Sequence, residues 1–181
     1  MLQVGTAAPV FELPDASMEM IRLSSFRGKK NVVLYFYPKD GTPVCTREAI
    51  DFSDHEDDFA ECDTVVMGVS RDDCMVHEAF SDKHGISVRL LSDMDCEVSR
   101  MYEVYKEYRS TQHMNSNDSN GSNSSSSSNG NSSNGGNVQI SVQRCTFIID
   151  KKGLVRHILP DMNPRLQVTE VLKMVRQIHG H

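Results

Sequence analysis

Pro38-x-x-x-Thr42-x-x-Cys45 is the stretch of this 181-residue chain in which residue type and spacing suggest chemistry. A run of β-branched and aromatic residues, Asn31-Val-Val-Leu-Tyr-Phe-Tyr37, ends in Pro38-Lys-Asp-Gly-Thr-Pro43. That ending is turn chemistry, and a helix is expected to begin near Cys45. A thiolate at a helix start meets N–H groups with no intrahelical acceptor and the positive end of the helix dipole, and both favour the anion. The thiolate is the nucleophilic form of cysteine, so the position is one that activates. Thr42 lies three residues earlier and can turn its hydroxyl into the same concavity. Five cysteines are present, Cys45, Cys62, Cys74, Cys96 and Cys145. Position makes Cys45 the nucleophile candidate among them, against the plainer reading of a small buried residue.

The surrounding elements must hold that loop. Asn31–Tyr37, Thr64–Val69, Val88–Leu91 and Cys145–Ile149 are continuous apolar runs, the pattern of strands buried on both faces. Asp150-Lys-Lys-Gly153 makes a turn into Leu154–Leu159, which reads as a hairpin. Helical periodicity is expected over Cys45–Phe59 and Asp73–His84, and in a short segment ending near Tyr105. In the last helix Asn163 is the expected N-cap and Pro164 the first helical residue, followed by Val168, Val171, Leu172, Val175 and Ile178 at a 3.6-residue period. Strands alternating with helices predict an α/β fold, with helices on both faces of a mixed central sheet.

Composition narrows the classes. The net charge is −6, which argues against a nucleic-acid module. Apolar residues are 38% of the chain. The shortfall comes from residues 115–137, which hold only Asn, Ser, Gly and one Asp; without them the apolar share is roughly 44%, near the globular average. Such a tract cannot bury enough apolar surface to offset its ordering entropy, so it is expected to be a flexible insertion in one domain spanning residues 1–181. The apolar runs are far shorter than the ~20 residues of a membrane helix, and the N-terminus shows no secretory signal. An odd number of cysteines with no C-x-x-C argues against a disulfide framework or a zinc site. His55, His77 and His84 form no metal-ligand pattern. An intracellular, reducing compartment is expected, the cytoplasm first, with a nucleus or organelle also open.

The stretch Leu34-Tyr-Phe-Tyr-Pro-Lys-Asp-Gly-Thr-Pro-Val-Cys-Thr-Arg-Glu-Ala49 resembles the peroxiredoxins, and among them the Q-type, bacterioferritin-comigratory-protein-like group. The resemblance extends over Gly5–Asp15, over Gly68-Val-Ser-Arg-Asp72 with His77, Phe80 and Lys83-His-Gly85, and over Leu90–Asp93, Arg144–Asp150 and the final helix. It covers everything except the polar tract. It implies a thioredoxin-like fold and a thiol-dependent peroxidase acting on hydrogen peroxide and alkyl hydroperoxides. Cys45 would become a sulfenic acid, recycled by thioredoxin or another thiol reductant, with no metal, flavin or other cofactor. It also implies that Arg144 lies beside the sulfur, where a guanidinium holds the thiolate and donates to the peroxide. The Thr42 hydroxyl and the N–H groups of Val44 and Cys45 are the further donors implied, and Pro38 the shield against bulk water. Glu48, one turn after Cys45, is either an orienting partner of Arg144 or Thr42 or a plain helix-surface residue.

Two features depart from the family pattern. Val44 stands where Q-type members usually have Gly. Ile50 and Ser81 occupy the two positions where the family places a resolving cysteine. Alternation along the strand turns Cys145 away from Arg144, Cys62 precedes its strand at the far sheet end, and Cys96 lies roughly two strand spacings away. Cys74 remains as the resolving candidate, against direct reduction of the sulfenic acid by an external thiol. Q-type likeness also suggests a monomer. The alternative function is a non-catalytic thioredoxin-fold module for redox sensing or binding.

Overall fold

The computed structural model describes residues 2–109 and 137–180. Apart from Asn137, the Asn/Ser/Gly tract and its expected flexibility lie outside the described residues. A small N-terminal hairpin, β1 (Glu12–Pro14) and β2 (Met20–Arg22), leads through a 3-10 turn at Leu23–Phe26 into β3 (Asn31–Phe36). Then follow α1 (Pro43–Asp54), α2 (Glu56–Glu61), β4 (Thr64–Ser70), α3 (Cys74–His84), β5 (Arg89–Ser92) and α4 (Glu97–Met101). The chain continues through β6 (Tyr105–Arg109), β7 (Val138–Val142), β8 (Cys145–Ile149), β9 (Val155–Pro160) and α5 (Gln167–His179).

The central sheet has the order β5-β4-β3-β8-β9. Strands β3, β4 and β5 are parallel, and β8 and β9 run antiparallel to their neighbours. All six residues of β3 are buried: Val32–Phe36 as their apolar run requires, and Asn31 with its side chain hydrogen-bonded to the Cys62 carbonyl and the Lys151 N–H. Alternation divides them between two cores. Val32, Leu34 and Phe36 pack with Phe147, Tyr102 and Val98 on one face. Val33, Tyr35 and Tyr37 pack on the other with Phe52, Phe59, Phe80 and the α5 residues Val168, Val171, Leu172 and Val175. The layers are therefore unequal: α1, α2, α3 and α5 cover one face, while α4 and the N-terminal segment cover the other. Each fully buried Val or Leu of α5 contributes about 1.5–3 kcal/mol, and this packing rather than local propensity fixes the helix.

Four local expectations need correction. The apolar stripe over Cys45–Phe59 belongs to two helices that meet at His55, because Phe52 and Phe59 reach the same core across the break. The last helix begins at Gln167. The Asn163 carbonyl instead accepts from the N–H groups of Leu166 and Gln167, and its side chain accepts from the Arg165 N–H, so Asn163 and Pro164 form a turn before the helix. Tyr105 opens a strand rather than closing a helix. Lastly, β8 has the expected bounds, but Arg144, which the alternation argument placed on that strand, lies in the connection just before it.

The pairing of β6 with β7 brings Arg109 opposite Val138. Deleting residues 115–137 would leave five residues, 110–114, to join these partners, enough for a hairpin loop. The deletion protein is expected to keep the parent melting temperature within a few degrees and its full rate with peroxide, measured by thermal unfolding and stopped flow.

Gly68 on β4 shows how tightly the face beneath α1 is packed. A Cβ there would lie 2.6 Å from the ring carbon Cζ of Tyr35. That ring cannot yield, because it stacks on Phe52 at 4.8 Å and Tyr37 at 5.5 Å between centroids. Gly68→Ala is therefore expected to cost about 1–3 kcal/mol of stability by overpacking, read from the urea midpoint.

Candidate active site

Thr42 ends the β3–α1 loop in an extended conformation, with φ −72° and ψ 150°, and caps α1. Pro43 follows at the first helical position, where its missing N–H costs nothing. The Thr42 hydroxyl oxygen accepts from the Cys45 N–H at 3.4 Å, while its own proton is directed to the Lys39 carbonyl at 3.4 Å. Thr46 donates its hydroxyl back to the Thr42 carbonyl at 2.8 Å. Cys45 is thus the third residue of a capped helix, its backbone held in the first turn. Its side chain is buried, at 1% exposure. Val44, the preceding residue, is 41% exposed, and its N–H belongs to the first-turn group with no intrahelical acceptor.

Arg144 meets this helix from the far side of the sheet centre. Its Nη2 donates to Cys45 Sγ at 2.8 Å, a contact between residues 99 positions apart. Its other terminal nitrogen, Nη1, is buried, lies 3.5 Å from Glu48 Oε2, and hydrogen-bonds to no acceptor among the described residues. The guanidinium therefore touches the sulfur with one arm and faces the Glu48 carboxylate with the other. A fixed cation with a planar fork of donors stabilises both an anionic sulfur and charge that develops on an adjacent oxygen.

Glu48 is the residue that spacing alone left undecided between two roles. It is one turn beyond Cys45, 3% exposed, and forms the buried counter-charge to Arg144. Burial raises its pKa to about 7, with the Arg144 charge and a hydrogen bond from Gln167 pulling the other way. Gln167, at the start of α5, also donates to the Thr146 hydroxyl at 2.9 Å. The C-terminal helix and β8 are thereby tied to the floor of the site.

A raised carboxylate pKa has a definite sign in stability. Between the ordinary glutamate value and about pH 7, folded Glu48 holds a proton that the unfolded chain has released. Stability therefore falls as pH rises through that window, by an amount on the order of 3 kcal/mol, and not further above it. Glu48→Gln removes this titration. The variant is expected to gain stability relative to the parent as pH goes from 5 to 8, read from urea midpoints at both ends.

The expected set is only partly assembled. Cys45, Thr42 and Arg144 converge, and Val44, an exposed residue, has its N–H in the first turn of the helix. Pro38, expected as the shield, is itself exposed, and the burial of Cys45 comes from its packing in the α1 core. Cys145 lies in the opposite core, and burial pushes its thiol up to about 11. Cys74 opens α3 at the same sheet end as Cys45 and is half-buried; all five cysteines are free. Asp40, Tyr37 and His77, all buried, form a polar group beside the loop with the half-buried Asp72. Asp40 and His77 are 37 positions apart, so no short motif reveals them.

Comparison with known proteins bears on the family and the fold. Residues 4–158 match the AhpC/TSA family. The chain is 35% identical over 152 residues to peroxiredoxin Bcp of Bacillus subtilis, covering 84% of this chain and 81% of that one. It is 30% identical over 175 residues to the chloroplastic peroxiredoxin Q of Triticum aestivum, covering 96% and 67%. The crystal structure of peroxidoxin BcpB from Mycobacterium tuberculosis superposes with a TM-score of 0.77 at 27% identity, over 98% of this chain and 99% of that one. The bacterioferritin comigratory protein of Xanthomonas campestris, studied for alkyl peroxide reduction, gives 0.76 at 25% identity, over 99% and 98%. The fold is that of the thioredoxin-fold peroxiredoxins, a class of thiol peroxidases. The chain belongs to the AhpC/TSA family as a peroxiredoxin of the Bcp/Q kind, a thiol-dependent peroxidase.

Proposed function

We propose that Cys45 is the peroxidatic residue, with Arg144 and Thr42 as its partners in reducing hydrogen peroxide and alkyl hydroperoxides. The observation that supports this most directly is the 2.8 Å contact from Arg144 Nη2 to Cys45 Sγ. The Cys45 thiolate attacks one peroxide oxygen in line with the O–O bond. An S–O bond forms and the O–O bond breaks. The sulfur is oxidised to a sulfenic acid, and the departing hydroxide or alkoxide takes up a proton to leave as water or alcohol. The Arg144 guanidinium and the Val44 N–H are the donors for the oxygen that gathers charge. Thr42 keeps the first turn of α1 formed, and its hydroxyl can exchange the long Lys39 contact for a peroxide oxygen.

Recycling uses an external thiol, thioredoxin by preference, because Ile50 and Ser81 carry no sulfur. The incoming thiol condenses with the sulfenic acid, releasing water and leaving a mixed disulfide. A second thiol then returns Cys45 to the thiol form. All these groups come from one chain, which supports a monomer as the working unit. Five free cysteines support action in a reducing compartment, and among the described residues no helix is long and apolar enough to cross a membrane. The test is peroxide consumption coupled to a thioredoxin system or to dithiothreitol. Turnover is expected with hydrogen peroxide and with tert-butyl hydroperoxide. No consumption with any thiol reductant would overturn the reading and favour a binding module.

A further inference from the structure

Beside the reactive loop lies a closed network that the peroxidase chemistry does not use. His77, in the first turn of α3, is fully buried, and both its ring nitrogens have partners. Nδ1 meets Asp40 Oδ2 at 2.5 Å and Nε2 meets the Leu91 carbonyl of β5 at 3.1 Å. A carbonyl can only accept, so Nε2 carries a proton. A second proton sits between Nδ1 and the Asp40 carboxylate. The other Asp40 oxygen accepts from the Tyr37 hydroxyl at 2.5 Å. The Asp40 N–H donates to Asp72 Oδ2 at 2.7 Å, and the Ser70 hydroxyl donates to that same oxygen at 2.7 Å. The network therefore ties the loop at Asp40 to the ends of β3 and β4, to α3 and to β5.

Asp40, Asp72 and His77 offer ligand-type atoms within 4.8 Å of one another, a spacing a cation could bridge. Their hydrogen bonds are already made to each other and to Tyr37, Ser70 and Leu91, and no polar atom of the three is left buried without a partner. That is the signature of a structural clamp, since an unpaired buried donor or acceptor would cost about 1–3 kcal/mol.

We infer that His77 and Asp40 are positioning residues for the peroxidatic cysteine, clamping the β3–α1 loop to α3 so that Thr42 and Cys45 present the first turn of α1 to peroxide. Asp40 is two residues from the Thr42 cap and five from Cys45. Gly41 between them has a φ of +85°, a backbone state that the clamp and the cap hold from either side. A displacement of about 1 Å at a reacting atom can cost ~10²-fold in rate, so a loop fixed at one end only would be slow. The inference rests on the peroxidase reading given above.

Two isosteric half-replacements separate positioning from simple space filling. Asparagine places its amide nitrogen near Nδ1 and keeps the donor to Asp40. Glutamine places its amide near Nε2, keeping the donor to Leu91 and losing the one to Asp40. His77→Asn is expected to retain kcat/KM for hydrogen peroxide within about threefold of the parent. His77→Gln is expected to lose tenfold or more, with KM for the thiol reductant unchanged in both. Equal losses in the two variants, equal retention, or a larger loss in the Asn variant would each overturn the inference. Should His77→Gln fail to fold, Tyr37→Phe, which removes only the second hydrogen bond to Asp40, is expected to lower kcat/KM three- to tenfold; an unchanged value overturns the inference. An inactive parent protein in the same assay would instead overturn the peroxidase reading.

Discussion

Cys45→Ser is expected to abolish peroxide turnover while leaving the fold intact. Serine is nearly isosteric and keeps the backbone hydrogen bond to Thr42, so the helix start survives. Its hydroxyl has no accessible anion near neutral pH, however, and among the described residues Cys45 is the cysteine that accepts a hydrogen bond from a guanidinium. Cys62, Cys96 and Cys145 are buried, with burial raising the thiol pKa of Cys96 and Cys145, and Cys74 is half-buried at the start of α3. The loss in kcat/KM should be at least ~10⁴-fold, down to the uncatalysed rate. Replacing Cys62, Cys74, Cys96 or Cys145 singly by serine should leave the first reaction with peroxide within a few-fold of the parent. The measurement is single-turnover stopped flow against hydrogen peroxide.

Arg144→Ala is expected to slow that same reaction by roughly 10²–10³-fold, the cost of removing a preorganised charged donor from developing negative charge. It removes the 2.8 Å contact to sulfur and the buried ion pair of Nη1 with Glu48 together. The fold should tolerate the change better than a broken buried ion pair usually allows. Glu48 already titrates at about 7, so loss of its counter-charge drives it to bind a proton rather than to remain a buried anion. Arg144→Lys keeps one positive charge but not the planar fork, and should recover only part of the rate. Equal rates for Arg144→Ala and the parent would remove Arg144 from the mechanism.

Much of this arrangement is legible in the residues themselves. Val32–Phe36 reads as a buried strand because it has no charged or amide side chain to face water, and the Pro-rich loop before Cys45 announces a helix start. The pairing of Arg144 with Cys45 is different in kind. It joins positions 99 apart, and the resemblance to a family supplied what local pattern could not. Other long-range features stayed hidden for the same reason. Tyr105–Arg109 is too polar to read as a strand without Val138–Val142, which lies beyond the Asn/Ser/Gly tract. Asn163-Pro164 has the chemistry of a helix start, yet the helix waits for Gln167, whose side chain is anchored on Thr146. Glu48 and His77 are buried polar residues whose partners come from other elements. Polarity by itself assigns such residues to the surface, and only the assembled fold shows what neutralises them.

The peroxidatic assignment is tested most directly by locating the first oxygen transferred. Reduced protein is mixed with one equivalent of hydrogen peroxide, trapped at once with a sulfenic-acid reagent, digested and mapped by mass spectrometry. The adduct is expected on Cys45, undiminished by the presence of Cys74, and absent from Cys45→Ser. A Cys45–Cys74 disulfide in its place would keep Cys45 as the attacking residue and replace external-thiol recycling with an intramolecular route. An adduct on any other cysteine, with Cys45 recovered as the free thiol, would contradict the assignment outright.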